Sequence, residues 1–173
     1  MRGAAPCEQI GGNRVDQRAA TFGVVSRETL LSYDGLAFLQ AMISGELPQP
    51  PITETLGFRL AEADHGRAVF VGEPQARHYN PIGTVHAGFA ATLLDSAMAC
   101  AVHSTIQRGE SYTTLEFKIN LVRALTADTG PVKAESRLLH RGRSVATSEA
   151  HLTDAGGKLY AHATTTCIIF PAA

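Results

Sequence analysis

Between Arg77 and Arg108 the chain carries one charged side chain, Asp95, in an otherwise apolar, small-residue run: Asn80-Pro-Ile-Gly-Thr-Val-His86-Ala-Gly88-Phe-Ala-Ala-Thr-Leu-Leu-Asp95-Ser-Ala-Met-Ala-Cys-Ala-Val102. A carboxylate on so apolar a helix is expensive to bury without partners, so it is either paired or functional. The preceding segment favours function. Asn80-Pro81 and Gly83 signal a loop, His86 follows, and the helical pattern begins near Gly88. The first amides of a helix lack intrahelical acceptors and point toward any incoming anion or carbonyl. One stretch therefore offers an amide, an imidazole, free backbone donors and a carboxylate.

These groups need elements to hold them. Leu30, Leu31, Leu36, Phe38, Leu39, Met42 and Ile43 recur at helical spacing, so a helix is expected over 27–44, stopped by Gly45. A Pro-rich linker, 47–51, leads into a short turn over 52–56. The period then changes to two: 58–64 and 67–71 read as a hairpin around Asp64-His65-Gly66. A long helix is expected over 88–107, followed by strands at 112–123, 130–140, 144–153 and 158–170. Consecutive hairpin-like strands predict an antiparallel sheet, and a helix apolar on most of its circumference must be wrapped by it. The fold class is thus α+β, with a sheet curled around a central helix. Six strands around one helix leave a sheet edge exposed, which predicts a symmetric partner.

With 173 residues, 45% hydrophobic content and a formal charge of -1, the chain reads as a single globular domain, 26–173, behind a flexible N-terminal tail, 1–25. The balance of 15 basic and 16 acidic residues gives no electrostatic case for nucleic acid. No apolar stretch reaches the roughly 18 residues that a membrane span requires, and residues 1–21 lack the apolar block of a signal peptide. A cytoplasmic location is the resulting expectation. Cys7, Cys100 and Cys167 have no CxxC spacing, so neither a disulfide framework nor a metal site is expected.

The run Asn80-x-x-Gly83-Thr84-x-His86-x-Gly88, followed by Leu94-Asp95, resembles the signature of the hotdog-fold acyl-CoA thioesterases of the phenylacetate-operon (PaaI-like) family. The resemblance covers about residues 47–170 and extends to Arg141-Gly142-Arg143-Ser-Val-Ala and Gly157-Lys-Leu-Tyr-Ala-His-Ala. One position departs from it: this chain has His86-Ala87-Gly88 where the family usually shows His-Gly-Gly. The resemblance implies a hotdog fold and hydrolysis of acyl-CoA by a homodimer or homotetramer without a cofactor. It makes Asp95 the nucleophile or general base. Ala87 N–H, with Gly88, would polarise the thioester carbonyl. Asn80 would orient water or the acyl carbonyl, His86 would support the site, and Thr113 would contact the carboxylate or water. Arg141 and Arg143, ahead of Arg123 and Lys133, are the candidates for the phosphates of coenzyme A. His78, His103 and His140 read as surface or loop residues.

Two other functions fit the same pattern. A hotdog hydroxyacyl-thioester dehydratase would need a His base ahead of a Pro-containing loop, which His78-Tyr-Asn-Pro81 mimics. A non-catalytic acyl-CoA-binding module would bind without turnover, but a mere binding pocket gains nothing from a carboxylate beside a thioester.

Overall fold

Strand pairing turns the two-residue periods into one six-stranded antiparallel sheet. The computed structural model describes residues 21–172. Its elements are α1 (Arg27–Ser32), α2 (Gly35–Ser44), α3 (Pro51–Leu56), β1 (Phe58–Asp64), β2 (Arg67–Gly72), α4 (Ala87–His103), β3 (Glu110–Leu121), β4 (Val132–Arg141), β5 (Val145–Asp154) and β6 (Leu159–Pro171). The strands lie in the order β1-β2-β4-β5-β6-β3, which leaves β1 and β3 at the edges. Most of the expected tail, 1–20, lies outside the described residues. From 21 onward the chain touches the body: Phe22 bridges to Gln49, and the Gly23 N–H donates to the Gln49 carbonyl.

The single helix expected over 27–44 is two helices. Ser26 Oγ accepts from the Thr29 N–H, and Asp34 Oδ1 accepts from the Ala37 N–H, so each helix has its own N-cap, with Tyr33 extended between them. The break falls where the chain crosses the end of α4. The Gly35 N–H donates to the Ile106 carbonyl at 2.9 Å, and a β-carbon on Gly35 would lie 1.7 Å from the His103 carbonyl oxygen.

Helix α4 buries Phe89, Ala90, Leu93, Leu94, Ala97, Met98, Ala101 and Val102, most of its circumference, against the sheet. Two buried serines fix it there. Ser136 Oγ on β4 donates to the Ala97 carbonyl at 2.7 Å, and Ser148 Oγ on β5 to the Met98 carbonyl at 3.0 Å. The helix ends four residues earlier than its apolar pattern suggests. The Ser104 and Thr105 hydroxyls turn back onto the carbonyls of Ala101 and Val102 and close the last turn.

Edge strand β3 carries a bulge between Thr114 and Glu116. It preserves the sidedness of the strand. Tyr112 and Thr114 before the bulge, and Phe117, Ile119 and Leu121 after it, pair with Ile169, Cys167, Thr165, Ala163 and Ala161, all buried residues of β6. Yet Phe117 stays 39% exposed and Leu121 51%, so the helix-facing side of this edge is incompletely covered. Among the described residues, no helix is long and apolar enough to cross a membrane.

Candidate active site

Asn80 builds the loop ahead of α4. Its Oδ1 accepts from the N–H groups of Ile82 and Thr84, and its Nδ2 donates to Thr84 Oγ1 at 2.9 Å. This turn requires Gly83 at φ +83°, a left-handed conformation in which glycine is unstrained. With Oδ1 doubly occupied, one Nδ2 proton of Asn80 remains for a ligand.

The loop delivers His86 to the N-cap of α4. Its backbone N–H donates to the His78 carbonyl at 2.7 Å, and its Nδ1 accepts from the Gly88 N–H at 2.9 Å. An accepting Nδ1 places the proton of a neutral imidazole on Nε2, so His86 presents an N–H donor from an exposed side chain. Glycine at 88 eases the same contact, because a β-carbon there would sit tightly against His86 Nδ1, at 3.0 Å. Gly88 is therefore not a free donor, contrary to the sequence expectation. The Ala87 N–H is: it donates to no acceptor among the described residues. Ala87 has a negative φ, so alanine serves where glycine is usual in the family motif.

Asn80, Thr84, His86, Ala87 and Ala90 form one wall of a cavity of about 350 Å³, and Leu121 to Leu125 with Tyr160 form another. Arg123 is part of that second wall, its Nη1 donating to the Leu159 carbonyl. Arg141 and Arg143 are elsewhere. Arg141 pairs with Glu110 at 2.7 Å, beyond the opposite end of α4, and Arg143 lies on the adjoining exposed turn. Lys133 pairs with Glu135.

Asp95 sits eight residues along α4 from Ala87, about 12 Å along the axis. It is half-buried, and no ion pair involves it among the described residues. Its partner is Thr114, whose Oγ1 donates to Oδ1 at 3.4 Å. Burial raises the carboxyl above its ordinary value, and the Thr114 bond opposes that rise. Thr92, a possible local partner, instead donates to the Gly88 carbonyl. Thr113, the expected contact, is exposed. Successive strand residues face opposite ways, and Tyr112 and Thr114 take the helix side.

Neighbouring groups narrow the chemistry. Burial pushes the Cys100 thiol up to about 12, so it is no thiolate nucleophile at neutral pH. Of the histidines expected at surface or loop positions, His140 is exposed, His78 is buried within the connection between β2 and α4, and His103 is half-buried as the last residue of α4. His78 stacks on Phe89 with ring centroids 4.7 Å apart, which keeps the dehydratase base out of reach of a substrate. His103 lies between Phe38 and Tyr112. What remains is a desolvated carboxylate on one part of α4, and a free amide with an imidazole N–H at its N-terminus. In general chemistry a carboxylate can act as a nucleophile or base, and N–H groups can stabilise an oxyanion.

Residues 82–161 match the thioesterase superfamily. A phenylacetic acid degradation-related protein from Ralstonia eutropha JMP134 is 32% identical, with a TM-score of 0.68 over 76% of this chain and 98% of that one. The chain belongs to the thioesterase superfamily. A mutant of the phenylacetic acid degradation protein PaaI from Thermus thermophilus is 34% identical, with a TM-score of 0.62 over 68% of this chain and 97% of that one. The 1,4-dihydroxy-2-naphthoyl-CoA hydrolase of Listeria monocytogenes serotype 1/2a (strain 10403S) is 28% identical over 108 residues, 62% of this chain and 86% of its own. This superfamily member is thus an enzyme of the thioesterase class on a hotdog fold, with PaaI-like proteins among its structural neighbours.

Proposed function

We propose that this thioesterase hydrolyses acyl-CoA thioesters at a site shared by two subunits, with Asp95 of one acting on a carbonyl held by Ala87 N–H, His86 and Asn80 of the other. The supporting observation is the separation of the two halves. A carbonyl carbon about 3 Å from a carboxylate cannot also place its oxygen about 3 Å from an amide some 12 Å away along the same helix. A second copy removes the conflict. If the exposed β3 edges pair antiparallel about a two-fold axis near Phe117 and Lys118, Thr114 of one strand falls opposite Leu121 of the other. Thr114 contacts Asp95, and Leu121 lines the cavity at Asn80, His86 and Ala87. The carboxylate of one subunit is then carried to the amide cavity of its partner. The half-exposed Phe117 and Leu121 are covered in the same step.

Within this site Asp95 attacks the carbonyl carbon or takes a proton from water. The negative charge that develops on oxygen is met by the Ala87 N–H, with the N-terminal dipole of α4 and the His86 Nε2–H behind it. If Asp95 attacks, the coenzyme A thiolate leaves and water hydrolyses the resulting anhydride. If Asp95 is the base, the deprotonated water adds to the carbonyl carbon and the thiolate leaves. In both routes a proton from that water ends on the coenzyme A thiol. Arg123, in the wall of that cavity, is the cation we assign to a coenzyme A phosphate. The test is thiol release from a panel of acyl-CoA esters. Turnover is expected in the wild type and to fall at least a hundredfold in Asp95→Asn, which keeps the volume and deletes the charge. Near-wild-type rates in Asp95→Asn, or full activity in a species that sediments as a monomer, overturn the proposal.

A further inference from the structure

Two cations converge on one ring in the wall of the cavity that holds the free amide. Tyr160 lines that cavity and is 7% exposed. Its hydroxyl donates to Asp154 Oδ2 at 3.2 Å, and its carbonyl accepts from the N–H groups of Val122 and Arg123, at 2.9 and 3.1 Å. The residue is thus fixed at both ends. Arg123 Cζ lies 5.9 Å from the ring centroid and Lys158 Nζ also lies 5.9 Å from it, both within cation–π range. Arg123 comes from the connection after β3, and Lys158 from the turn between β5 and β6. Two separate turns therefore bring their charges to one place.

Both charges are open to a ligand. Arg67, Lys133, Arg137 and Arg141 are each paired with a carboxylate. Arg123 and Lys158 are exposed and have no such partner among the described residues, although Arg123 gives one N–H to the Leu159 carbonyl. Asp154, the acid nearest to Lys158 in sequence, is occupied in building the turn. Its Oδ1 accepts from the N–H groups of Lys158 and Gly156, and Gly157 completes the turn at φ +80°. The Lys158 N–H above all, then the Tyr160 hydroxyl, hold that carboxyl below the usual carboxylate range. Asp154 thus shapes the loop that presents Lys158 and forms no ion pair with its ammonium. Two uncompensated cations beside a cavity that carries an oxyanion donor suit a ligand that reacts at one end and is anionic at the other.

We propose that Lys158 is a second phosphate-binding residue, which acts with Arg123 on the nucleotide end of coenzyme A and makes the enzyme prefer CoA thioesters to thioesters that lack the nucleotide. The inference rests on acyl-CoA hydrolysis at the shared site and deepens it, because it names what selects the thiol carrier. The two side chains divide the task. Arg123 lines the cavity, with a planar guanidinium fixed by its bond to the Leu159 carbonyl, whereas Lys158 lies outside the lining, as a point charge on a flexible stem. The pair therefore leads from the cavity wall out to solvent, where the phosphates lie when the thioester carbonyl is at the Ala87 amide. Tyr160 holds both cationic heads near one face of the site without neutralising either.

The test measures kcat and KM for the CoA, dephospho-CoA and pantetheine thioesters of one acid in the wild type, Lys158→Ala and Lys158→Arg. It also measures binding of free coenzyme A by calorimetry. Lys158→Ala is expected to raise KM for the CoA ester about fivefold, the effect of one exposed charge contact, with kcat unchanged. The pantetheine ester, which has no phosphate, should keep its wild-type KM, and Lys158→Arg should behave as wild type on all three. The dephospho-CoA ester locates the contact. A KM that Lys158→Ala leaves unchanged for this ester assigns Lys158 to the 3′-phosphate, and a fivefold rise assigns it to the diphosphate; either upholds the inference. Hydrolysis with the same KM for the CoA ester in Lys158→Ala, or with equal rises for the CoA and pantetheine esters, overturns it and leaves the hydrolytic reading standing. Binding of coenzyme A that Lys158→Ala weakens and Lys158→Arg preserves, with no ester hydrolysed, upholds the phosphate site and overturns the hydrolytic reading.

Discussion

Ala87→Pro removes one hydrogen-bond donor and little else. Proline has no N–H, and the Ala87 N–H serves no intramolecular acceptor among the described residues. The backbone already suits the change. Ala87 is the first residue of α4, the helical position where proline is most readily accepted, and its φ is negative. A residue before proline must be extended, and His86 has φ −59° and ψ 139°. The side chain at 87 is exposed, so the ring has room. Folding should therefore be nearly unaffected, with Tm within about 2 °C of wild type. Loss of one preorganised oxyanion donor costs about 10² to 10³ in kcat, or roughly 2.7–4 kcal/mol of transition-state stabilisation. Ala87→Gly, which keeps the N–H, is the control and should retain most of the rate. Thiol release under saturating acyl-CoA reads the loss. Mixing Ala87→Pro with Asp95→Ala after joint unfolding and refolding adds a quantitative check. About half of randomly formed dimers are mixed, and each mixed dimer has one intact site of two, so about a quarter of wild-type activity should return. A kcat for Ala87→Pro within a factor of three of wild type would refute the oxyanion role. No recovery in verified mixed dimers would refute the shared site.

The packing around Asp95, the β3 edge and α4 sets four further outcomes. Because burial raises the Asp95 carboxyl, kcat/KM should fall on acidification with a midpoint above the ordinary carboxylate value of 3.8. The charged form carries a penalty that is full above the folded pKa and fades as pH falls through it. Asp95→Asn should accordingly raise Tm at pH 7 by about 2–4 °C, and the gain should shrink in acid; an unchanged gain across that range would contradict the assignment. Phe117→Lys should yield a folded monomer by sedimentation, with activity as low as that of Asp95→Asn, whereas an active dimer would place the interface elsewhere. Ser136→Ala should cost about 1 kcal/mol, a Tm loss of about 2–4 °C in thermal melts, because its hydroxyl bonds the Ala97 carbonyl in the buried layer. No change would mean that the bond does not hold α4 to the sheet.

How much of this was readable beforehand depends on the range of the interaction. The loop from Asn80 to Gly88 was legible because its chemistry is local: one amide closes its own turn, one imidazole caps the next helix, and both partners lie within four residues. That closeness also hid a detail. The cap consumes the Gly88 amide and leaves the Ala87 amide free, a distinction that residue type alone does not make. Strand periods were legible too, and they contained more than was drawn from them. If Tyr112 faces the helix, so does Thr114, and Thr113 faces away. Likewise the four-residue spacing of Asp95, Ala99 and His103 places all three on one stripe, although the polarity of histidine argued for the surface. The arginines illustrate the limit. Arg141 is committed to Glu110, 31 residues distant in sequence, and Arg123 reaches the cavity only because β3 ends beside the loop that opens α4. Such placements depend on how the sheet curls around the helix.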